Sequence, residues 1–139
     1  MTFSRHMADR KSNVDLDTRA APQIIRPRLF LGAELLVGPG KIDLLHAVRQ
    51  HGSISAAARA SGMGYKRAWT LLDEIRRACG ADVVESTAGG SGGGGATLTP
   101  LGDVLIKRYE AIEVSCAISS APHLKRLARA LARVNKQRK

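Results

Sequence analysis

Tyr65, Lys66 and Arg67 set a phenol, an ammonium and a guanidinium side by side, with the hydroxyl of Thr70 one turn later. These groups suit acceptor-rich edges. Arginine can donate to guanine O6 and N7 together, lysine to the same atoms, and tyrosine or threonine to a phosphate or a base edge. Ser53 and Ser55 precede them and offer hydroxyl and backbone N–H groups to a phosphate. Downstream, Gly89, Gly90, Ser91, Gly92, Gly93, Gly94 and Gly95 form a run with one side chain in it. Main chain without side chains can approach a ligand closely, and successive N–H groups can form a concave anion site. On charge alone Lys66 and Arg67 would be a solvated helix face, and the glycines alone would be a linker. What flanks them decides.

Catalytic readings lack parts. A phosphate-binding loop of the nucleotide type needs a lysine after its glycines and a helix directly behind it; here no lysine follows and "ATLT" reads as a strand. His6, His46, His51 and His123 make no HExxH pattern, and neither GxSxG nor a paired catalytic carboxylate set is present. Asp73-Glu74 and Glu110/Glu113 read as exposed helix faces. Cys79 and Cys116 lack metal-ligand spacing and are expected to be reduced thiols. The expectation is a protein that is not an enzyme and uses no cofactor or metal.

Elements must position the candidate groups. Residues 1–24 are polar and aperiodic, the pattern of a flexible N-terminal arm. Leu29–Leu31 and Leu35–Val37 are short apolar runs closed by Gly38-Pro39-Gly40. From Lys41, Ile42, Leu44, Leu45 and Val48 recur at helical spacing until Gly52. Ser53 or Ser55 caps a short alanine-rich helix that stops at Gly62. A longer helix follows with Ala68, Leu71, Leu72, Ile75 and Cys79 on one face, ended by Gly80. "DVVEST" and "ATLT" read as paired strands around the glycine loop. Thr99 caps a helix beginning at Pro100, with Leu101, Val104, Leu105 and Ile112 on one side, expected to end before Pro122. Last comes "HLKRLARALARVNKQRK", with Leu124, Leu127, Leu131 and Val134 on one face.

This order predicts a fold that is mainly α with a small β-hairpin wing: a winged helix-turn-helix plus C-terminal helices. It divides into an arm (1–24), a DNA-binding and dimerisation domain (25–121) and a basic helical tail (122–139). Ala57 and Ala58 are small where one helix presses on another, Gly62 allows a left-handed turn, Met63 plugs it, and Ala68 and Leu71 return to the core. With that face inward, Tyr65, Lys66, Arg67 and Thr70 lie on the outward N-terminal part of the second helix, which enters the major groove in such proteins. Trp69, four residues after Tyr65, stacks on that ring and buttresses the wing, or else contacts DNA directly.

The formal net charge of +10 is unevenly placed. Lys125, Arg126, Arg129, Arg133, Lys136, Arg138 and Lys139 stand in the tail with no acid, so the chain between Pro22 and Ala121 is nearly balanced. The middle must argue for double-stranded DNA by geometry. The tail reads as a nonspecific DNA contact, a membrane-surface helix or a frayed end. No apolar run is long enough for a membrane span and the N-terminus lacks a signal's apolar core, so a cytoplasmic protein is expected.

From Lys41 to about Glu113 the chain resembles the N-terminal DNA-binding domain of ModE-type molybdate-responsive transcription regulators, itself related to LysR-type winged helices. The stretches that carry the resemblance are "GSISAAARASGMGYKRAW" and "TAGGSGGGGATLTPLG". It implies a homodimeric bacterial-type repressor or dual regulator linked to molybdate uptake or molybdoenzyme genes. It also implies DNA contacts at Tyr65, Lys66, Arg67 and the Gly89–Gly95 loop, which is expected to order on DNA. A dimer interface is expected through Leu101, Leu105 and Ile112, unless these are core. Two departures stand out. Gly64 occupies a place where related sequences often carry a serine cap, and no oxyanion-binding region fits after Ile118, so molybdate is not expected to bind this chain directly. The alternative is a protein–protein adapter that docks a separate effector-sensing partner through its C-terminal helix.

Overall fold

Residues 25–87 and 94–138 are described by the computed structural model. Two short strands, β1 (Leu29–Leu31) and β2 (Glu34–Val37), form an antiparallel hairpin. Three helices follow, α1 (Pro39–His51), α2 (Ile54–Ala60) and α3 (Tyr65–Cys79). A second antiparallel hairpin, β3 (Val84–Thr87) with β4 (Gly95–Leu98), pairs Val84 with Leu98 and Thr87 with Gly95. A single helix, α4 (Pro100–Gln137), completes the chain. The architecture is the predicted winged helix-turn-helix, mainly α with a small hairpin wing.

Local chemistry sets these boundaries. Pro39 occupies the first turn of α1, where a missing N–H costs nothing. Of the two candidate serines, Ser53 caps α2, its Oγ accepting from the Ala56 N–H at 3.0 Å. Gly62 takes φ 68° between α2 and α3, and the Met63 N–H donates to the Ala58 carbonyl at 3.0 Å. Ala57 and Ala58 are buried at the crossing that this turn creates, together with Ile42, Leu45 and Val48 of α1 and Ala68, Leu71, Leu72 and Ile75 of α3. Met63 and Cys79 pack against that cluster. Burial pushes the Cys79 thiol up, away from the reactive thiolate.

Helix α4 differs from expectation in two ways. It does not end before Pro122 but runs through it for 38 residues, about 57 Å. Its buried residues are Gly102, Ile106 and Tyr109, and no described residue beyond Tyr109 is fully buried. Pro122 leaves the Ile118 carbonyl without its helical donor, and the alanine-, leucine- and base-rich sequence beyond resumes the helix. The second difference is phase. Leu101 and Val104 point outward, Leu105 packs against the core, and Ile112 is half-buried. The fully buried positions are a glycine, an isoleucine and a tyrosine, two of which a count of aliphatic residues overlooks.

Tyr109 is fully buried and donates its hydroxyl to the Pro27 carbonyl at 2.7 Å, which ties the chain ahead of β1 to α4. Arg26 closes the same corner, donating to Asp43 on α1 and to Glu113 on α4. Burial, reinforced by the Glu113 carboxylate, pushes the Tyr109 phenol up to about 12. A raised phenol contributes stability fully below its unfolded value of about 10, and that contribution is lost as pH climbs through the folded value. Tyr109→Phe is expected to cost about 1–2 kcal/mol at neutral pH, because the Pro27 carbonyl loses its donor. It should also flatten the alkaline loss of stability above pH about 10. Urea melts of both proteins along a pH series check both effects.

Candidate nucleic-acid interface

The buried face of α3 orients everything else on it. At about 100° per residue, the direction opposite Ala68, Leu71, Leu72 and Ile75 is occupied by Lys66, Thr70, Asp73 and Arg77. Tyr65 and Trp69 flank this ridge on one side, Arg67 and Glu74 on the other. Tyr65, Lys66, Arg67, Trp69 and Thr70 are all exposed. Sequence reasoning had placed Lys66 and Arg67 together; on the helix they diverge, Lys66 at the crest and Arg67 on the flank. Neither has an acidic partner among the described residues, since Glu74 is taken by Lys41 at 3.1 Å. Further along the ridge, Asp73 accepts from Arg76 at 2.8 Å and pairs with Arg77 at 3.1 Å, and the Arg76 hydrogen bond holds its carboxyl below the usual range. The free cations therefore stand at the N-terminal end of α3.

The hydroxyls are partly committed. Thr70 Oγ1 donates to the Lys66 carbonyl at 3.0 Å, which leaves its methyl outward. Ser53 Oγ is engaged in capping α2, and Arg59 donates to Ser55 Oγ at 3.4 Å. The first residue of α3 follows Gly64, which offers no side-chain cap, as the sequence departure implied.

The wing is fastened to this unit rather than merely adjacent to it. The Ala96 N–H donates to the Gly52 carbonyl at 2.8 Å, joining β4 to the end of α1. Thr99 joins the other end, its N–H donating to the Val83 carbonyl at 3.0 Å and its Oγ1 to the Asp82 carbonyl at 2.8 Å. Between α3 and the wing lies an open groove of about 610 Å³. Ser53, Ser55, Tyr65, Trp69, Gly94 and Gly95 line it, as do Ile54, Ser86, Thr87 and Ala96, which sequence reasoning did not single out. The signal for Ser86 and Thr87 was their place at the end of "DVVEST", one residue short of the glycine run. Gly95 has an internal reason for being glycine: a Cβ there would lie 2.8 Å from Thr87 Oγ1, which accepts the Gly95 N–H at 3.1 Å. Gly89, Gly90, Ser91, Gly92 and Gly93 lie outside the described residues.

A trihelical core with a small-residue turn, an outward cationic helix start and a strand pair anchored beside it defines a winged helix-turn-helix domain. Residues 40–103 match the family described as bacterial regulatory helix-turn-helix protein, lysR family. More particularly, the chain is similar to ModE-type and molybdenum-pterin-binding proteins. The chain is 41% identical over 111 residues to the molybdenum-pterin-binding protein MopB of Rhodobacter capsulatus, covering 80% of this chain and 40% of that protein. It is 40% identical over 82 residues to the DNA-binding transcriptional dual regulator ModE of Escherichia coli, covering 59% of this chain and 31% of that one. Rhodobacter capsulatus MopA is 38% identical over 77 residues, 55% of this chain. The chain thus spans less than half the length of these relatives. Among the described residues no helix is long and apolar enough to cross a membrane.

Proposed function

We propose that this chain binds operator DNA as a homodimer and regulates transcription, as a repressor or dual regulator, of genes for molybdate uptake or molybdoenzymes. One observation carries the DNA reading: Lys66 stands without an acidic partner among the described residues on the outward crest of α3, beside the open groove that Tyr65 and Trp69 of the same helix form with the anchored wing. Each protomer lays α3 in a major groove, with half-site centres about 34 Å apart or a multiple of that. Lys66, at the crest, meets base acceptors, while Arg67, on the flank, meets phosphate. Ser53, Ser55 and the Gly89–Gly95 loop serve the backbone beside them. The molybdenum setting rests on the names of the relatives, and none of the described residues is assigned to molybdate. Protomers join through α4.

Selection of bound fragments from random-sequence DNA tests this directly, and two variants then divide the roles. Lys66→Ala is expected to lose about 1–3 kcal/mol of discrimination at one base pair in each half-site. Arg67→Ala is expected to weaken binding to operator and random duplex alike and to lower the slope of affinity against salt by about one. If Lys66→Ala also weakens both duplexes equally, Lys66 holds phosphate only. Enrichment of no fragment would remove the DNA reading.

A further inference from the structure

The groove between α3 and the wing has an aromatic wall. Tyr65 and Trp69 meet edge to face, with ring centroids 6.2 Å apart and planes at 84°. They remain 56% and 42% exposed, although the apolar Ile54 and Ala96 form a buried floor beside them. The Tyr65 hydroxyl has no hydrogen-bond partner among the described residues. Trp69 also lines a smaller cleft with Leu72, Val83 and Val84, so its indole is supported from the body below and by Tyr65 at its side. Two large rings are thus held in place with their edges in water, which is an arrangement for contact rather than for the protein's own core.

The position of this wall identifies its ligand. Tyr65 is the first residue of α3, and the first turn of such a helix meets base edges. In the major groove the apolar group that base edges present is the thymine C5-methyl. The hydroxyls of Ser53, Ser55, Ser86 and Thr87 line the rest of the groove and suit the sugar–phosphate side of the same strand. We infer that the Tyr65–Trp69 pair reads thymine, receiving its methyl group while Lys66 alongside donates to neighbouring base acceptors. This rests on the DNA-binding reading above and adds to it a base preference at a stated place.

The test uses a duplex recovered from the random-sequence selection, with each thymine in turn replaced by deoxyuridine, which removes only the methyl. One position in each half-site is expected to lose affinity about fourfold, the effect of burying one methyl. Tyr65→Phe should keep that dependence, and at least one of Tyr65→Ala and Trp69→Ala should lose it while melting cooperatively as the parent does. Trp69 is the one tryptophan of the chain, so its emission should change when duplex is added. Retention of the methyl dependence in both alanine variants would overturn the inference. So would a selected duplex in which no thymine-to-deoxyuridine change costs affinity, and that result would leave sequence-specific binding intact. Failure to select any duplex would overturn the DNA reading and this inference with it.

Discussion

Gly102→Ala is expected to destabilise the fold by about 2 kcal/mol, whereas Gly40→Ala is expected to stabilise it slightly. Both glycines lie in the first turn of a helix, where alanine has the better intrinsic propensity, by up to about 1 kcal/mol. They differ in what a methyl would meet. Around Gly40 there is nothing within 4 Å, so the propensity gain stands. At Gly102 a Cβ would lie 2.4 Å from the Val83 carbonyl oxygen and 3.4 Å from Leu98 Cβ. The first contact is with backbone, which cannot swing aside as a side-chain tip can.

The consequence reaches the wing. The Val83 carbonyl accepts from the Thr99 N–H, and the Thr99 hydroxyl in turn accepts from the Gly102 N–H at 3.2 Å. Making room for a methyl separates α4 from the strand that begins at Val84 and strains the bonds that close the hairpin's root. Gly102→Ala should therefore lose operator affinity as well as thermal stability. Chemical melts and duplex titrations of the two alanine variants, run side by side, check both statements. Equal melts for parent and Gly102→Ala would show that α4 and the wing can part without cost.

This contrast also marks how far the sequence is legible. Helices α1 to α3 were readable because each has a one-sided apolar stripe and a stop residue, and because Ala57, Ala58, Gly62 and Met63 stand at the spacing a tight crossing requires. The wing strands were readable from the two flanks of the glycine run. The inner face of α4 was not. There, contact with the body is made by a glycine at the closest approach and a tyrosine whose hydroxyl finds a carbonyl more than eighty positions earlier in the chain. Neither registers in a pattern of aliphatic residues. The split between Lys66 and Arg67 is different: it follows from the inward face Ala68, Leu71, Leu72 and Ile75, which the sequence marks, because adjacent residues are about 100° apart on a helix. The anchoring of β4 to Gly52 is backbone to backbone and leaves no mark on residue type.

Replacing Leu127 and Leu131 together by glutamate is expected to convert the proposed dimer to a monomer and to lower operator affinity by about two orders of magnitude or more. The face of α4 that buries Gly102, Ile106 and Tyr109 continues at helical spacing into Ala117, Leu124, Leu127, Leu131 and Val134. That continuation carries no buried residue, and Leu127, Leu131 and Val134 are exposed. An apolar stripe in phase with the core, running on past the body, suits a second copy laid alongside in the opposite direction. Lys125, Arg126, Arg129 and Arg133 project from the other side of the helix, so two copies can meet through the leucines with these cations turned away from the seam. Of the residues first assigned to the interface, Leu105 packs against the core, and the proposed pairing surface lies farther out along the same helix. Two glutamates on the seam would need burial without partners, which association cannot offset. Because each protomer remains folded through its own core, the variant should still bind an isolated half-site weakly. Sedimentation of parent and variant, with titrations against one and two half-sites, reads these effects separately. A variant that sediments as a dimer would move the interface off α4, and a monomeric variant with full operator affinity would show that one protomer reads the site alone.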